Sequence, residues 1–482
     1  MKSIMKQNRT TRAHRFRSNP LVPLRRLRVP AVIAVTWLCA GCPATGDEIR
    51  PPSDQFYFPT GMEMAPDESV LFVANANSDL RYDSGAVSVV SLDRVDDLLT
   101  PWLADDPALP EGRDCEIDAS VPYTMVCDER EVILPGAGVR IGNFATELKV
   151  QTLADDSILR LFVAVRGDPS LTWIHYDKGN RDLSCAAGEG FTECDDAHRL
   201  TQLRDDEDLI GLPDEPFGLF VDSGKGYVVV THLSNGAVSV ANAPQDGSVP
   251  ILSDAVGNLF LAGGDGQRGA VGVAGRQPGT DNDRIYVTSR REGRVQTLIV
   301  LRPAGGLPSL VPAEFFFMRG TVNPSDDGRG IAFSSDGNRA YIVNRVPAML
   351  HIFDTSLDPL GVPRNEFMAS VEVCAEASNL AVVPGDDPAD PEARGRGDRI
   401  YVACFRNGQI WSIDPRGPVV DAIIDVGRGP HAIAAAPGRK RLYVSNNLEG
   451  TVAVIDLRPE SNTENRVVLR LGRPRSSGDD VE

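Results

Sequence analysis

Three signatures of hydrolytic or redox chemistry are missing from this 482-residue sequence. There is no G-x-S-x-G nucleophile elbow, no H-E-x-x-H zinc pair and no C-x-x-C-H haem attachment site. Serine-type hydrolase, zincin and c-type cytochrome readings therefore have no support. Aromatic residues make up only 6% of the chain, and none of its six histidines stands at ligand spacing from a cysteine. That spacing weighs against a Cys/His metal site, and no cofactor is expected. Long stretches of helical periodicity are also absent. Instead, 45 Gly and 35 Pro supply turn formers to a chain that is 42% hydrophobic. Strands and loops follow, in one large all-β domain or two smaller ones.

Negative charge is missing from the first 41 residues, which hold nine Lys and Arg and no Asp or Glu. The formal net charge is −18 for the whole chain, hence −27 once those nine positive charges are set aside. So acidic a surface repels phosphate backbones, which excludes a general nucleic-acid binder. The basic residues run to Arg28 and are followed by Val29 to Ala40, an apolar run too short to span a bilayer as a mature helix. This is the order of a secretory signal over residues 1–41. Its end, Leu38-Cys39-Ala40-Gly41-Cys42, resembles the bacterial lipobox, with Cys39 where that family prefers Leu. The resemblance implies lipidation of Cys42 and contact with a membrane of the bacterial envelope through the lipid anchor only. Plain secretion into the periplasm or medium is the alternative. Residues 42–55 read as a tether, and residues 473–482 as a disordered tail.

Six cysteines lie beyond Cys42 and permit 15 connectivities. Proximity favours Cys115 with Cys127, Cys185 with Cys194, and Cys374 with Cys404, and an exported chain favours disulfides.

The region from Ile424 to Leu457 reads strand, turn, strand, turn, strand. Related trios end at Asp93, Asp177, Asn242, Val300, Asp354 and Asp414. The position of Tyr443 is taken by Phe72, Phe162, Val229, Tyr286, Tyr341 and Tyr401 in the other units. A fourth strand follows each trio, near Val132, Ile423 and Val468 for example. Strands this short bury their faces only by stacking copies. The stretch RLYVSNNLEGTVAVID resembles the signature of the YVTN-type β-propeller family. The resemblance and the repeat count imply a seven-bladed β-propeller of four-stranded antiparallel blades over residues 56–472. Arg94 to Arg130, Lys178 to Asp208, Gly275 to Asp283 and Asp386 to Asp398 read as polar insertions. The first two are expected between the third and fourth strands of their blades. Each blade is expected to own its strands, with Phe56-Tyr57-Phe58 a candidate edge strand for the last.

Several patterns are candidates for chemistry. Gly264 to Gly269 matches G-x-G-x-x-G, but strand material follows where a dinucleotide site needs a helix, so a turn is the better reading. Asn75, Asn77, Asp79 and Asp83 present alternating oxygens that could wrap Ca²⁺, without a closing bidentate Glu; a solvated loop competes. Asp281 and Asp283 are a weaker version. His431 opens the innermost strand of repeat seven and His232 ends the second strand of repeat three, which directs both toward one channel mouth. His175 and His351 read as structural. The residue after the YVTN-like strand is Arg166, Arg290 and Arg345 in repeats two, four and five, with Arg291 and Arg406 one further on. Repeat symmetry places them around one rim, where they could hold a carboxylate or phosphate; pairing with nearby acids competes. The expected role is an envelope binding module for a protein, a glycan or a small anion. Seven-bladed relatives also include lactonases and quinoprotein-like oxidoreductase subunits, so a central-channel enzyme is the alternative.

Overall fold

Runs such as Tyr227–His232 (YVVVTH) and Arg441–Asn446 (RLYVSN) are rich in β-branched and aromatic residues, and each forms a fully buried strand. The computed structural model describes residues 49–474, except 189, 205–208, 258, 261–268, 278, 281–283, 322–324 and 386–396. The signal, Cys42, most of the tether, most of the Gly264 to Gly269 motif, Asp281, Asp283 and residues 475–482 lie outside the described residues.

Among the described residues, seven of the eight sheets are blades, each with a run of four antiparallel strands in sequential order, and the eighth is the two-stranded hairpin Gln202–Arg204 and Leu209–Gly211. Blade 1 comprises Pro59–Met64, Val70–Asn75, Gly85–Ser91 and Val139–Ile141. Blade 2 comprises Ala145–Thr152, Ile158–Val165, Ser170–Asp177 and Asp182–Ser184. Blade 3 follows with Pro216–Asp222, Tyr227–His232, Val238–Asn242 and Ile251–Val256, and blade 4 with Ala270–Gly275, Ile285–Ser289, Arg294–Leu301 and Ser309–Phe317. Blade 5 is Gly328–Phe333, Arg339–Asn344, Met349–Asp354 and Glu366–Glu372. Blade 6 is Ala377–Val383, Arg399–Cys404, Gln409–Asp414 and Val419–Asp425. Blade 7 is Pro430–Ala436, Arg441–Asn446, Thr451–Asp456 and Arg466–Leu471. First strands touch in order, and that of blade 7 touches that of blade 1, so the ring closes. The fold is a seven-bladed β-propeller.

The apolar core lies between blades. Seven hydrophobic clusters fill the seven interfaces, and the repeat-equivalent rings of Phe72, Phe162, Tyr286, Tyr341, Tyr401 and Tyr443 are buried in them. A second tie is polar. The Thr60 hydroxyl donates to Ala145 O (2.9 Å), Thr146 to Phe217 O (2.7 Å), Thr231 to Val271 O (2.7 Å) and Thr288 to Arg329 O (2.7 Å). Each hydroxyl thus satisfies a carbonyl on the first strand of the next blade. Where the second strand carries Thr (blades 3 and 4), that Thr does so. Where it carries Ala74 or Ala164, a first-strand Thr substitutes.

Five expectations need correction. The fourth strand of blade 1 is Val139–Ile141, while the stretch around Val132 forms a 3₁₀ turn, Glu129–Glu131, and a single bridge from Ile133 to Val90. The first insertion is not only a polar loop. It opens with the helix Leu92–Trp102, whose Leu92, Val95, Leu98, Leu99 and Trp102 enter the cluster between blades 1 and 7. It then sends a hairpin, Cys115–Ile117 and Met125–Cys127, to the edge of blade 7, where Met125–Cys127 pairs parallel with Arg466–Leu471. Blade 7 is therefore a six-stranded sheet built from both ends of the propeller. Phe56 and Tyr57 add no strand; they are buried, and Tyr57 N donates to Asn75 Oδ1. In blade 2, the fourth strand lies within the second insertion, and Arg199–Leu200 also pairs with the third strand.

All three local disulfides form, Cys115–Cys127, Cys185–Cys194 and Cys374–Cys404. They accord with an exported protein, because cytosolic thiols are kept reduced. Cys374–Cys404 has a particular place. Cys404 ends the second strand of blade 6, the position held by Asn75, Asn344 and Asn446 in blades 1, 5 and 7. Those asparagines tie the strand end by hydrogen bonds, to Ser88, Asp326 and Thr451 for example. Blade 6 makes the tie covalently, across a separation of 30 residues. Loop-closure entropy for that length is worth about 3.6 kcal/mol. Replacing both cysteines by Ala is expected to destabilise the protein by about 2–4 kcal/mol in urea unfolding without reductant. An unchanged midpoint would show that the sheet alone holds this end.

Candidate functional site: the central channel and its arginine rim

The first strands of all seven blades line a central cavity of about 910 Å³. Its polar walls are unequal. At blades 1 to 3, Lys149 Nζ lies 3.0 Å from Glu63 Oε2 and 3.3 Å from Glu147 Oε1. Glu147 Oε2 also accepts from Leu219 N at 2.8 Å. Side chains of this trio are about a third exposed (34% for Glu63, 30% for Glu147 and 32% for Lys149), and all three line the cavity. Burial pushes the Glu147 carboxyl above its ordinary range, with Lys149 pulling the other way. Burial opposes the Lys149 charge, but the two carboxylates hold it protonated.

The opposite sector is basic. Arg329, second residue of the first strand of blade 5, is 8% exposed and donates to Asp327 Oδ2 at 2.8 Å. Its Nε and Asp327 Oδ1 are buried without hydrogen-bond partners. Burial lowers the Arg329 guanidinium's affinity for its proton; Asp327 opposes this, and Arg345 and Arg290 add repulsion.

The expected register of the rim is present. Backbone N–H groups of Ala76, Arg166, Leu233, Arg290, Arg345 and Asn447, each the residue after a second strand, donate to the carbonyl of the residue before the first strand of the same blade: Phe58, Phe144, Glu215, Gly269, Asp327 and Gly429. In five blades the residue before the first strand is left-handed, Phe58, Phe144, Glu215, Glu376 and Gly429, with φ between 52° and 68°. Two of these are glutamates, and they face the arginine of the preceding blade. Arg166 pairs with Glu215, and Arg345 with Glu376 at 2.7 Å. Arg166 and Arg345 line the cavity, but as ion pairs rather than bare cations. Arg290 forms no ion pair among the described residues. Arg406, 73% exposed and 4.0 Å from Glu376, stands outside the mouth in a groove toward blade 7. Arg291 adopts φ 75° beside it in sequence from Arg290 and joins no described pair.

The two histidines part company. His431 lines the channel, its Nδ1 3.2 Å from Thr60 O, and burial keeps it neutral. His232 does not reach the channel. It is fully buried inside blade 3, with Nε2 2.7 Å from Ser239 Oγ, and makes the same strand-end tie as the asparagines. Strand periodicity gave its end of the strand but not its side. Asn77 Oδ1 accepts from Tyr82 N, Asn75 Oδ1 from Tyr57 N, and Asp83 pairs with Arg140. Glu63, Glu147, Arg329 and His431 are the first-strand residues the sequence offered for the channel, and all four line it; missed was Lys149, which alternates with Glu147 (E-x-K) on one strand face.

No protein-family model matches the chain, and no curated protein matches it. Solved structures do. A "putative 6-phosphogluconolactonase" from Bacteroides fragilis aligns with TM-score 0.50 at 14% identity, over 84% of this chain and 98% of that one. A "putative 6-phosphogluconolactonase" from Bacteroides uniformis aligns with TM-score 0.47 at 11% identity, over 86% and 99%. A protein from Lactobacillus plantarum aligns with TM-score 0.49 at 14% identity, over 75% and 92%. At such identities the first likeness establishes the propeller fold, and no more.

Proposed function

We propose that this protein is an exported ligand-binding propeller, anchored in the bacterial envelope through Cys42, whose channel mouth takes small carboxylate- or phosphate-bearing molecules. One observation carries the reading. Around blades 4 to 6, Arg290, Arg329, Arg345 and Arg406 share only two carboxylates in the described ion pairs, Asp327 and Glu376. A partly desolvated cation in surplus attracts an anion, and a guanidinium binds a carboxylate or phosphate in two-point geometry. Isothermal titration with a panel of small carboxylates and sugar phosphates tests it. Binding by the wild type that weakens at least about tenfold in an Arg329→Ala, Arg345→Ala double variant, and weakens with salt, is expected. Unchanged binding in the variant counts against the site. Mass spectrometry of the mature N-terminus tests the anchor, for which a diacylated Cys42 is expected and an unmodified one is contrary.

A second reading rests on Glu147. A channel carboxyl held above its ordinary range is suited to general acid–base work, and the fold matches a structure named as a lactonase. On that reading, the chain hydrolyses a sugar lactone and Glu147→Gln lowers kcat by about 10²–10⁴. A lactone assay without detectable turnover, or a variant as fast as wild type, removes it.

A further inference from the structure

The channel has two poles of opposite sign, and the ring geometry sets them face to face. In a closed ring of seven, blade 5 stands opposite the junction of blades 1 and 2. Arg329 belongs to blade 5, while Glu63 belongs to blade 1 and Glu147 and Lys149 to blade 2. On the acidic side, two carboxylates share one ammonium, which leaves that wall one negative charge in surplus. An ionised carboxylate offers about four acceptor sites. Glu63 uses one described contact and Glu147 two, so acceptors remain toward the water-filled channel. The basic side has the reverse condition, with more guanidinium groups than carboxylates in the described ion pairs. His431, which lines the same cavity from blade 7, is kept neutral by burial and adds charge to neither pole.

From this we infer that the ligand is an elongated zwitterion, with a carboxylate or phosphate at Arg329 and a protonated amine at Glu63 and Glu147. The inference rests on the anion-binding reading above and adds the second pole. A simple anion would satisfy one wall and leave the other's surplus charge facing it. An amine at the far end supplies the cation that Glu63 and Glu147 lack, and the two ends hold the molecule across the channel. The poles are also offset along the axis. Arg329 is the second residue of its strand, Glu147 the third, and Glu63 and Lys149 the fifth of theirs. One to three residues of offset correspond to roughly 3–10 Å at ~3.3 Å per residue. The separation suits a chain with its charges at opposite ends, and not an α-amino acid, whose charges sit on one carbon.

Straight-chain ω-aminocarboxylates of graded length, titrated calorimetrically beside unsubstituted and ω-hydroxy carboxylates of the same lengths, test the second pole. The aminocarboxylate of best-fitting length is expected to bind at least about tenfold more tightly than the plain carboxylate. Glu63→Gln should erase that advantage while leaving plain carboxylate binding in place, and Glu147→Gln provides the same comparison if the first variant folds poorly. Equal affinity for amino and plain carboxylates, with Arg329-dependent binding of both, overturns the amine pole and leaves the anion site standing. Equal affinity for hydroxy and amino compounds likewise overturns it, in favour of a neutral donor. Absence of binding by every compound ends both readings.

Discussion

Between pH 6.5 and 4 the protein is expected to lose stability steeply, through histidines that are neutral and buried in the fold. His232 is fully buried and His351 is 2% exposed, and desolvation pushes each imidazole down to about 4. An unfolded histidine titrates near ~6.5. Below that pH the unfolded chain takes up protons that the native chain refuses, so the unfolded state gains. The contribution is whole above ~6.5, falls as pH drops and levels off below ~4, at a cost of up to about 3 kcal/mol for each of the two. His175 adds in the same direction. Glu147 works against it, because its raised carboxyl takes a proton in the fold first; it is one group against several. Thermal unfolding at pH 7 and pH 4.5 measures the sum. His351→Leu isolates one term, since both ring nitrogens of His351 are buried without a hydrogen-bond partner. This variant should match wild type or exceed it at neutral pH and lose visibly less in acid. A parallel fall in both proteins would assign the acid loss elsewhere.

Asp456→Ala is expected to cost about 3–5 kcal/mol, because it strands a buried arginine. Asp456 ends the third strand of blade 7 and is fully buried. Its Oδ1 accepts from Arg441 Nη1 (3.2 Å) and the Arg458 backbone N–H (3.0 Å), and its Oδ2 from Arg458 Nη2 (2.8 Å) and Thr463 Oγ1 (2.6 Å). Burial alone would raise this carboxyl; the hydrogen bonds outweigh it and hold it low. Arg441, only 7% exposed, would lose its carboxylate and keep its burial. The equivalent residue of blade 6 provides the control. Asp414 makes the same turn, accepting from Arg416 N at 2.9 Å, but Arg416 is 47% exposed and water can replace the contact. Asp414→Ala should cost no more than about 1 kcal/mol. Urea unfolding of the two variants compares them directly, and equal losses would show that the turn, not the buried ion pair, carries the energy.

The repeat was readable because it is local. Alternation, turn residues and an aromatic at one strand position in six of seven units forecast blades, and seven clusters between blades bear this out. The same locality gave the disulfides, whose partners lie 9, 12 and 30 residues apart. It also gave the shared rim register of Arg166, Arg290 and Arg345. The helix Leu92–Trp102 was missed: Leu92, Val95, Leu99 and Trp102 have helical spacing, but Pro101 and the surrounding polar residues made the stretch read as a loop.

What the amino-acid order determined by itself was the unit: a strand needs only its own alternation and its own turns. What only the closed ring decided was which units meet. The Cys115–Cys127 hairpin crosses to blade 7, more than 300 residues away, where Thr124 Oγ1 donates to Val467 O at 2.6 Å. Glu215 and Glu376 reach back to neutralise Arg166 and Arg345, and Arg329 comes to face Glu63 and Glu147 across the axis. Electrostatic balance depends on distance in space, and distance between repeats is set by closure, which no single repeat encodes.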